Sequence, residues 1–528
     1  MKIKPQEIFN EYTKGVNFKR SIGTKGLYEQ GRINERFYTG DQWHGIDNTT
    51  KRPLVRHNII KRIGDYKMSQ ILANDITVSL SAEGVPYIPQ ESVGTERFTS
   101  AKADEKEINA VLNALSNYRD ISAERMAFDN LCAKALKNSF ISGSGVIYTY
   151  WDSDINTGLY AENKQKTALK GDIKSEVIDI EDVYFADPYL EDIQSQKYII
   201  IASLLEPKAV LNEAENFGAD KYNLLKLKEV KDDKILVLTK LYKERNADGS
   251  ITVKCIKVTE KAVVRKSFDT KLRLYPIAVF NWDERKNSVY GDTELTYLIP
   301  NQIAINRMIT ANVWSAVTMG MPMMVVNGDT VDQNITNDPG QIIKVFGSNE
   351  DVAGAVRYVT PPDICREFGS GINELIKNTL IQSGANEVAL GDSKAENATA
   401  LQFMQSAATL PLKLMKKRFY GFIEDITRIW ADFWITHYGI RKIKLTDGKN
   451  TYFMEFDASR YKNLYLTAKT TVLDKTEFSV SDTMSVLDNL LDKGIIDKKQ
   501  YLERLPKGII SDTEKIFVKE GETKDDGK

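Results

Sequence analysis

The chain is poor in the residues that most often carry chemistry. It has three cysteines in 528 residues, Cys132, Cys255 and Cys365. Their wide spacing excludes a CxxC-type zinc site and a disulfide framework, and a reducing compartment is the simplest expectation. It has three histidines, His44, His57 and His437, each read as structural rather than as a catalytic base. No GxxxxGK[ST] phosphate loop, GxGxxG, HExxH or GxSxG motif is present, so neither a nucleotide-driven motor nor a common hydrolase signature is on offer. Asp283 and Glu284 form an acidic pair ahead of Arg285. Two-metal nuclease chemistry would need a further carboxylate at a defined distance, and no spacing singles one out. The chain is therefore read as non-enzymatic, with no catalytic residue, metal or cofactor. The opening MKIKPQEIFNEY lacks an apolar run, so no secretory leader is expected.

Charge of one sign is also scarce. Lys and Arg number 72 against 73 Asp and Glu, a net charge of −1. A protein that grips nucleic acid by its backbone replaces counterions and is usually basic, so any such contact here should be loose or local. The first 62 residues do carry 13 basic against 6 acidic side chains, an excess of 7. That stretch reads either as a nucleic-acid-binding arm or as a solvated face.

What is present is ordinary globular composition, 42% hydrophobic and 27% charged, on a chain long enough for several domains or one elaborated architecture. One run stands out. Met308 to Gly328 has no charged residue, and Arg307 and Asp329 close its ends. Its length approaches a membrane span, but Asn312, Gly320 and Pro322 within it favour a helix covered by protein that runs into a strand.

Periodicity gives the order of elements. A helical segment covers about 1–38, broken by the Gly40-Asp41 turn. Residues 57–73 read as a helix and 75–81 as a strand. Helix resumes over 100–141, then the Gly143-Ser144-Gly145 hinge leads to a strand at 146–152. Strand-like runs dominate 172–282. Together these give an α+β body. From 291 a long helix follows an Asp292 or Thr293 N-cap, with Pro300 set to kink it or to mark its first turn. Short strands and turns fill 321–361. A helix covers 363–383, a polar loop runs to 398, and an aromatic-rich helix covers 399–437, interrupted at Pro411. Trp430, Phe433 and Trp434 recur on it at core spacing. Strands over 441–472 and two short helices over 476–505 complete the order, before a charged tail from 512 expected to be disordered.

Four phrases within this order, RFYTGDQW with RPLVRHNIIKRIGDYKMSQILANDITVSL (36–43 and 52–80), VYGDTELTYLIPNQIAINRMIT (289–310), ATALQFMQSAATLPLKLMKKRFYGFIEDITRIW (398–430) and SVLDNLLDKGIIDKKQYLERLP, together resemble the portal proteins of tailed bacteriophages. The resemblance spans roughly 30–510. It implies a ring of about twelve copies closed by a heterologous interface. It also implies a wing over 1–290, stem helices over 291–320 and 363–383, and a clip over 321–362. A tunnel loop over 384–398, a kinked wing helix over 399–438, wing strands over 439–474 and a crown over 475–511 follow, with the tail at 512–528. The implied role is a channel at one capsid vertex for DNA packaging and ejection, in the virion and made in the host cytoplasm. The implied partners are double-stranded DNA, the large terminase, a head-completion or tail adaptor, and the major capsid and scaffolding proteins, with no membrane. Portals also nucleate head assembly.

On that reading Asn386, Glu387, Asp392, Lys394, Glu396 and Asn397 would face DNA, with a loop charge of −2 that repels phosphate and lets the duplex slide. Lys413, Lys416, Lys417 and Arg418 would face DNA or pair with a neighbouring subunit's carboxylates. Pro322, Val325, Val326, Asn327 and Asp329 would carry adaptor docking. Two other readings stand beside it: a membrane pore built on 308–328, and a metal-dependent nuclease.

Overall fold

The computed structural model describes residues 4–47, 53–73, 75–83, 105–160, 168–228, 233–247, 249–319, 323–327, 329, 331, 344–348, 354, 356–359, 364–385, 410–447, 450–457, 465–473 and 477–505. The described chain is mixed helix and sheet, an α+β protein.

Two helices open the chain, α1 (Pro5–Ser21) and α2 (Leu27–Thr39). The basic N-terminal stretch is thus docked on the body over this length rather than extended as an arm. Lys19 is fully buried; its ammonium donates to the carbonyls of Ile180 (2.6 Å) and Glu181 (2.7 Å) and lies 3.7 Å from the Tyr184 ring centre. Burial holds its pKa well below the ordinary lysine value. Helix α2 ends at Gly40, whose positive φ of 96° lets its N–H reach back to the Arg36 carbonyl, the left-handed stop that glycine adopts without strain.

Helix α3 (Ile59–Leu72) starts at Asn58, whose side chain accepts from the Lys61 N–H, a typical N-cap. Strand β1 (Asp75–Glu83) follows. Helices α4 (Glu105–Arg125) and α5 (Phe128–Ser142) are separated at Ala127, which takes φ 48°. Strands β2 (Ser144–Tyr160), β3 (Ala168–Asp179) and β9 (Ile277–Asn281) form a three-stranded antiparallel sheet with β2 central. A second, five-stranded antiparallel sheet runs in chain order through β4 (Val183–Phe185), β5 (Tyr198–Leu205), β6 (Ile235–Arg245), β7 (Ile251–Val258) and β8 (Val263–Asp269).

Alternation along these strands sorts the core. Ile200, Ala202, Leu238, Ile256 and Val258 face α1 through Ile8, while Ile199, Ile201, Leu241, Val253 and Cys255 face the main core, as a period of two dictates. Two short helices, α6 (Pro207–Asn216) and α7 (Lys221–Lys228), cover Val237 and Val264 near the far edge.

The long helices come next: α8 (Glu294–Met319), α9 (Ile364–Gln382) and α10 (Leu412–His437). Between α8 and α9, β10 (Met323–Val326) pairs antiparallel with β11 (Val356–Val359). After α10, β12 (Ile440–Asp447) and β13 (Asn450–Asp457) form a hairpin. Strand β14 (Tyr465–Leu473) then returns to pair with β1 along its whole length, joining the two ends of the fold. Helices α11 (Glu477–Asp492) and α12 (Lys498–Arg504) follow.

Helix α10 is the spine of the main core. Trp430 and Trp434 are fully buried and Phe433 nearly so, as their spacing implies. The Trp430 indole donates to Ser175 Oγ at 3.0 Å, and Ser175 shares a hydrogen bond with Thr149, so the helix is keyed to the three-stranded sheet. At its C-terminal end Tyr438 donates to the wholly buried Asp172 (2.7 Å), which also accepts from Tyr118 and pairs with Arg125.

Candidate functional site

The resemblance places function on the α8–α9 hairpin, and the structure shows how its first helix is rooted. Thr293 caps α8: its Oγ1 accepts from the Leu295 N–H and donates to the Phe140 carbonyl. Asp292 instead accepts from the Tyr297 hydroxyl and pairs with Arg285 at 3.1 Å. The helix runs through Pro300, so that residue does not mark its first turn. Just upstream, Gly143 and Gly291 cross with their backbones nearly touching. A Cβ on Gly291 would lie 2.4 Å from the Gly143 carbonyl oxygen, so neither position has room for a side chain.

Glu294, in the first turn, receives the Lys67 ammonium on both oxygens (2.8 and 2.6 Å) and the Trp282 indole N–H at 3.3 Å. Burial raises its pKa, and the Lys67 charge opposes that rise. Further along, Gln302, Asn306 and Thr310 form an i, i+4, i+8 stripe on one face. Gln302 accepts from the Ile59 and Ile60 N–H groups and donates to the His57 carbonyl. Asn306 accepts from the His57 N–H and donates to Gln42 Oε1. Thr310 accepts from the Val55 N–H at 3.1 Å. The extended segment 53–58 is thereby stitched, through its own backbone groups, to the side of α8. The Ile59 and Ile60 N–H groups and Gln42 Oε1 would otherwise be buried polar groups short of a partner.

This joint unites residues from three of the four phrases. Gln42, His57 and Lys67 come from the first, and Glu294, Gln302 and Asn306 from the second. Arg418, from the third, donates to the Trp282 carbonyl and pairs with Glu284 at 3.3 Å and Asp283 at 3.8 Å. Of the four basic residues 413–418, Arg418 is therefore engaged within its own chain, on the acidic pair noted above; Lys413 and Lys417 are exposed on α10 and Lys416 is half-buried.

Helix α9 packs on the flank of α8, with Ile372 and Leu380 buried, Met308 over Gly371, and Asn301 donating to Thr379. Beyond Thr310 the surroundings change: no residue from 311 to 317 is buried, and Val317 is 67% exposed. These residues belong to the uncharged run that the sequence marked as protein-covered. In the single chain that run is split: α8 ends at Met319 and β10 begins at Met323. Among the described residues no helix is long and apolar enough to cross a membrane.

Of the docking residues proposed for the β10–β11 region, Val325 is 54% exposed, Asn327 and Asp329 are exposed, and Val326 is half-buried; Pro322 lies outside the described residues. All six polar loop residues, Asn386, Glu387, Asp392, Lys394, Glu396 and Asn397, also lie outside them, as does the tail from 512. The last described residues after α9 lie beside the first before α10: a Cβ on Gly384 would lie 3.8 Å from Pro411.

Among the described residues no group of three His, Cys, Asp or Glu side chains is placed to hold a metal ion. His44 pairs with Asp41, His57 acts through its backbone, and His437 stacks on Trp151. Cys132 and Cys255 are buried and unbridged. No protein-family model matches the sequence, and a search of curated proteins returns no match.

Proposed function

We propose that this chain is the subunit of a phage portal, a ring through which DNA enters and leaves the capsid. The observation that carries the reading is the hairpin. Its root is locked by buried hydrogen bonds and an ion pair, while the outer part of α8 is uncharged and unburied in the single chain. An apolar stretch of helix that is only partly covered needs neighbours, and a ring subunit has one on each side. The order of elements and the near-zero net charge support the same reading. Terminase and adaptor would dock at the β10–β11 end of the hairpin, around Val325.

The test is the native mass of the purified chain together with negative-stain images. Rings of about twelve copies with a central hole are expected from the closed heterologous interface. A stable monomer at every concentration would overturn the reading. Once rings are in hand, deletion of 386–396 should leave them intact and impair DNA packaging.

A further inference from the structure

Away from the hairpin, the two sheets of the body do not close on each other. Between the three-stranded sheet and strands β5–β8 lies a cavity of about 640 Å³, within the ~300–1,000 Å³ usual for small-molecule sites. Its walls are largely apolar, with Ile178, Ile201, Val237, Leu241, Leu272 and Phe433 among them. Lys257, on the wall, is already paired with Glu213 at 2.6 Å.

Arg265, which also lines the cavity, is different. Its guanidinium lies 3.7 Å from the Phe217 ring centre and 3.5 Å from that of Phe268. Aromatic contact holds the guanidinium plane and takes up its faces, leaving the N–H edge as its polar outlet. Among the described residues that edge donates no hydrogen bond and makes no ion pair. Burial lowers its pKa, the response of a cation short of compensation.

The geometry points to a binding site for an amphiphilic monocarboxylate, its head on the Arg265 fork and its hydrocarbon along the apolar walls. A planar carboxylate matches the guanidinium edge in bidentate fashion. Glu176 lies on the cavity wall, where burial raises its pKa and the Lys174 charge opposes that rise. A second negative charge on the ligand would meet that carboxylate and Asp269, which also lines the cavity, so a single charge suits the site better than a phosphate dianion. The inference is independent of ring formation.

Decanoate is the probe, titrated calorimetrically into the intact protein, with decyltrimethylammonium as the cationic control. Saturable binding at one site per chain is expected. Arg265→Gln should weaken it by about ten-fold or more, the usual worth of a charge-assisted hydrogen bond, without lowering the thermal midpoint. Ser203→Trp, which fills the cavity from its half-exposed wall, should remove binding altogether. No saturable binding, equal affinity in Arg265→Gln, or equally tight binding of the cation would each overturn the assignment. So would capture of a short acidic peptide in place of decanoate, which would make the cavity a protein-docking site.

Discussion

Replacing Lys67 with Met tests the root of α8 directly. The Lys67 and Glu294 side chains are 8% and 19% exposed, so removing the ammonium strands a carboxylate with little water to turn to. Breaking a buried pair in this way costs about 3–5 kcal/mol. The loss should depend on pH. Burial already raises the Glu294 pKa, and Lys67 is the main influence pulling it back, so in the variant it rises further. An acid whose folded pKa exceeds its unfolded value favours the folded state below the unfolded pKa and loses that contribution as pH climbs through the folded one. Lys67→Met should therefore be least damaged near pH 5 and most damaged near pH 8. Adding Glu294→Gln removes the stranded charge while keeping an acceptor for the Trp282 indole, so the double variant should regain most of the loss and be insensitive to pH. Urea unfolding at both pH values reads all three. A single variant with a flat pH response, or a double variant as weak as the single, would refute the argument.

Asn306→Ala leaves the His57 N–H and Gln42 without their partners and should cost about 1–3 kcal/mol, with faster hydrogen exchange at His57, Ile59 and Ile60 than elsewhere. Tyr438→Phe removes one donor from buried Asp172 and should lower stability by about 1–2 kcal/mol by urea titration; no change would mean that Tyr118 and Arg125 suffice. Gly291→Ala forces a methyl against the Gly143 carbonyl and should leave little folded protein, whereas Gly218→Ala, with open space around it but a positive φ of 65°, should cost about 1 kcal/mol. Val317→Asp, at an exposed position, should leave the thermal midpoint of the monomer unchanged while abolishing rings; rings that persist would count against the hairpin as the assembly surface.

How far the fold could be read from sequence depended on how much each element carries its own signal. Helices α8 and α9 and the described part of α10 lie where periodicity placed them, because each is long and has a cap or a proline near its start. The split of 100–141 into α4 and α5 gave no warning: it falls at Ala127, a left-handed alanine in a stretch without glycine or proline. Helices α6 and α7 were absorbed into a region read as strands, since ten and eight residues hold too few turns for a clear period. The pairing of β1 with β14 depends on residues about 390 apart and has no local trace. At the candidate site, Gln302, Asn306 and Thr310 did carry a legible mark, three polar residues on one face of a helix poor in charge. Their partners did not, because those are mainly backbone groups of a distant extended segment. Arg265 lacked any motif; its significance comes from two phenylalanines and an unfilled space that only the fold brings together.

The stitched root also makes α8 a cantilever. At ~1.5 Å per residue its 26 residues span ~39 Å, and Thr310 bonds the 53–58 segment at Val55. The final nine residues, ~14 Å of helix, lie beyond that bond. The bonds at its base tie it to the 53–60 segment and α3, and the Lys67–Glu294 pair ties its first turn to α3. On the proposed portal reading, a partner docked at the tip would be joined through these bonds to the centre of the body.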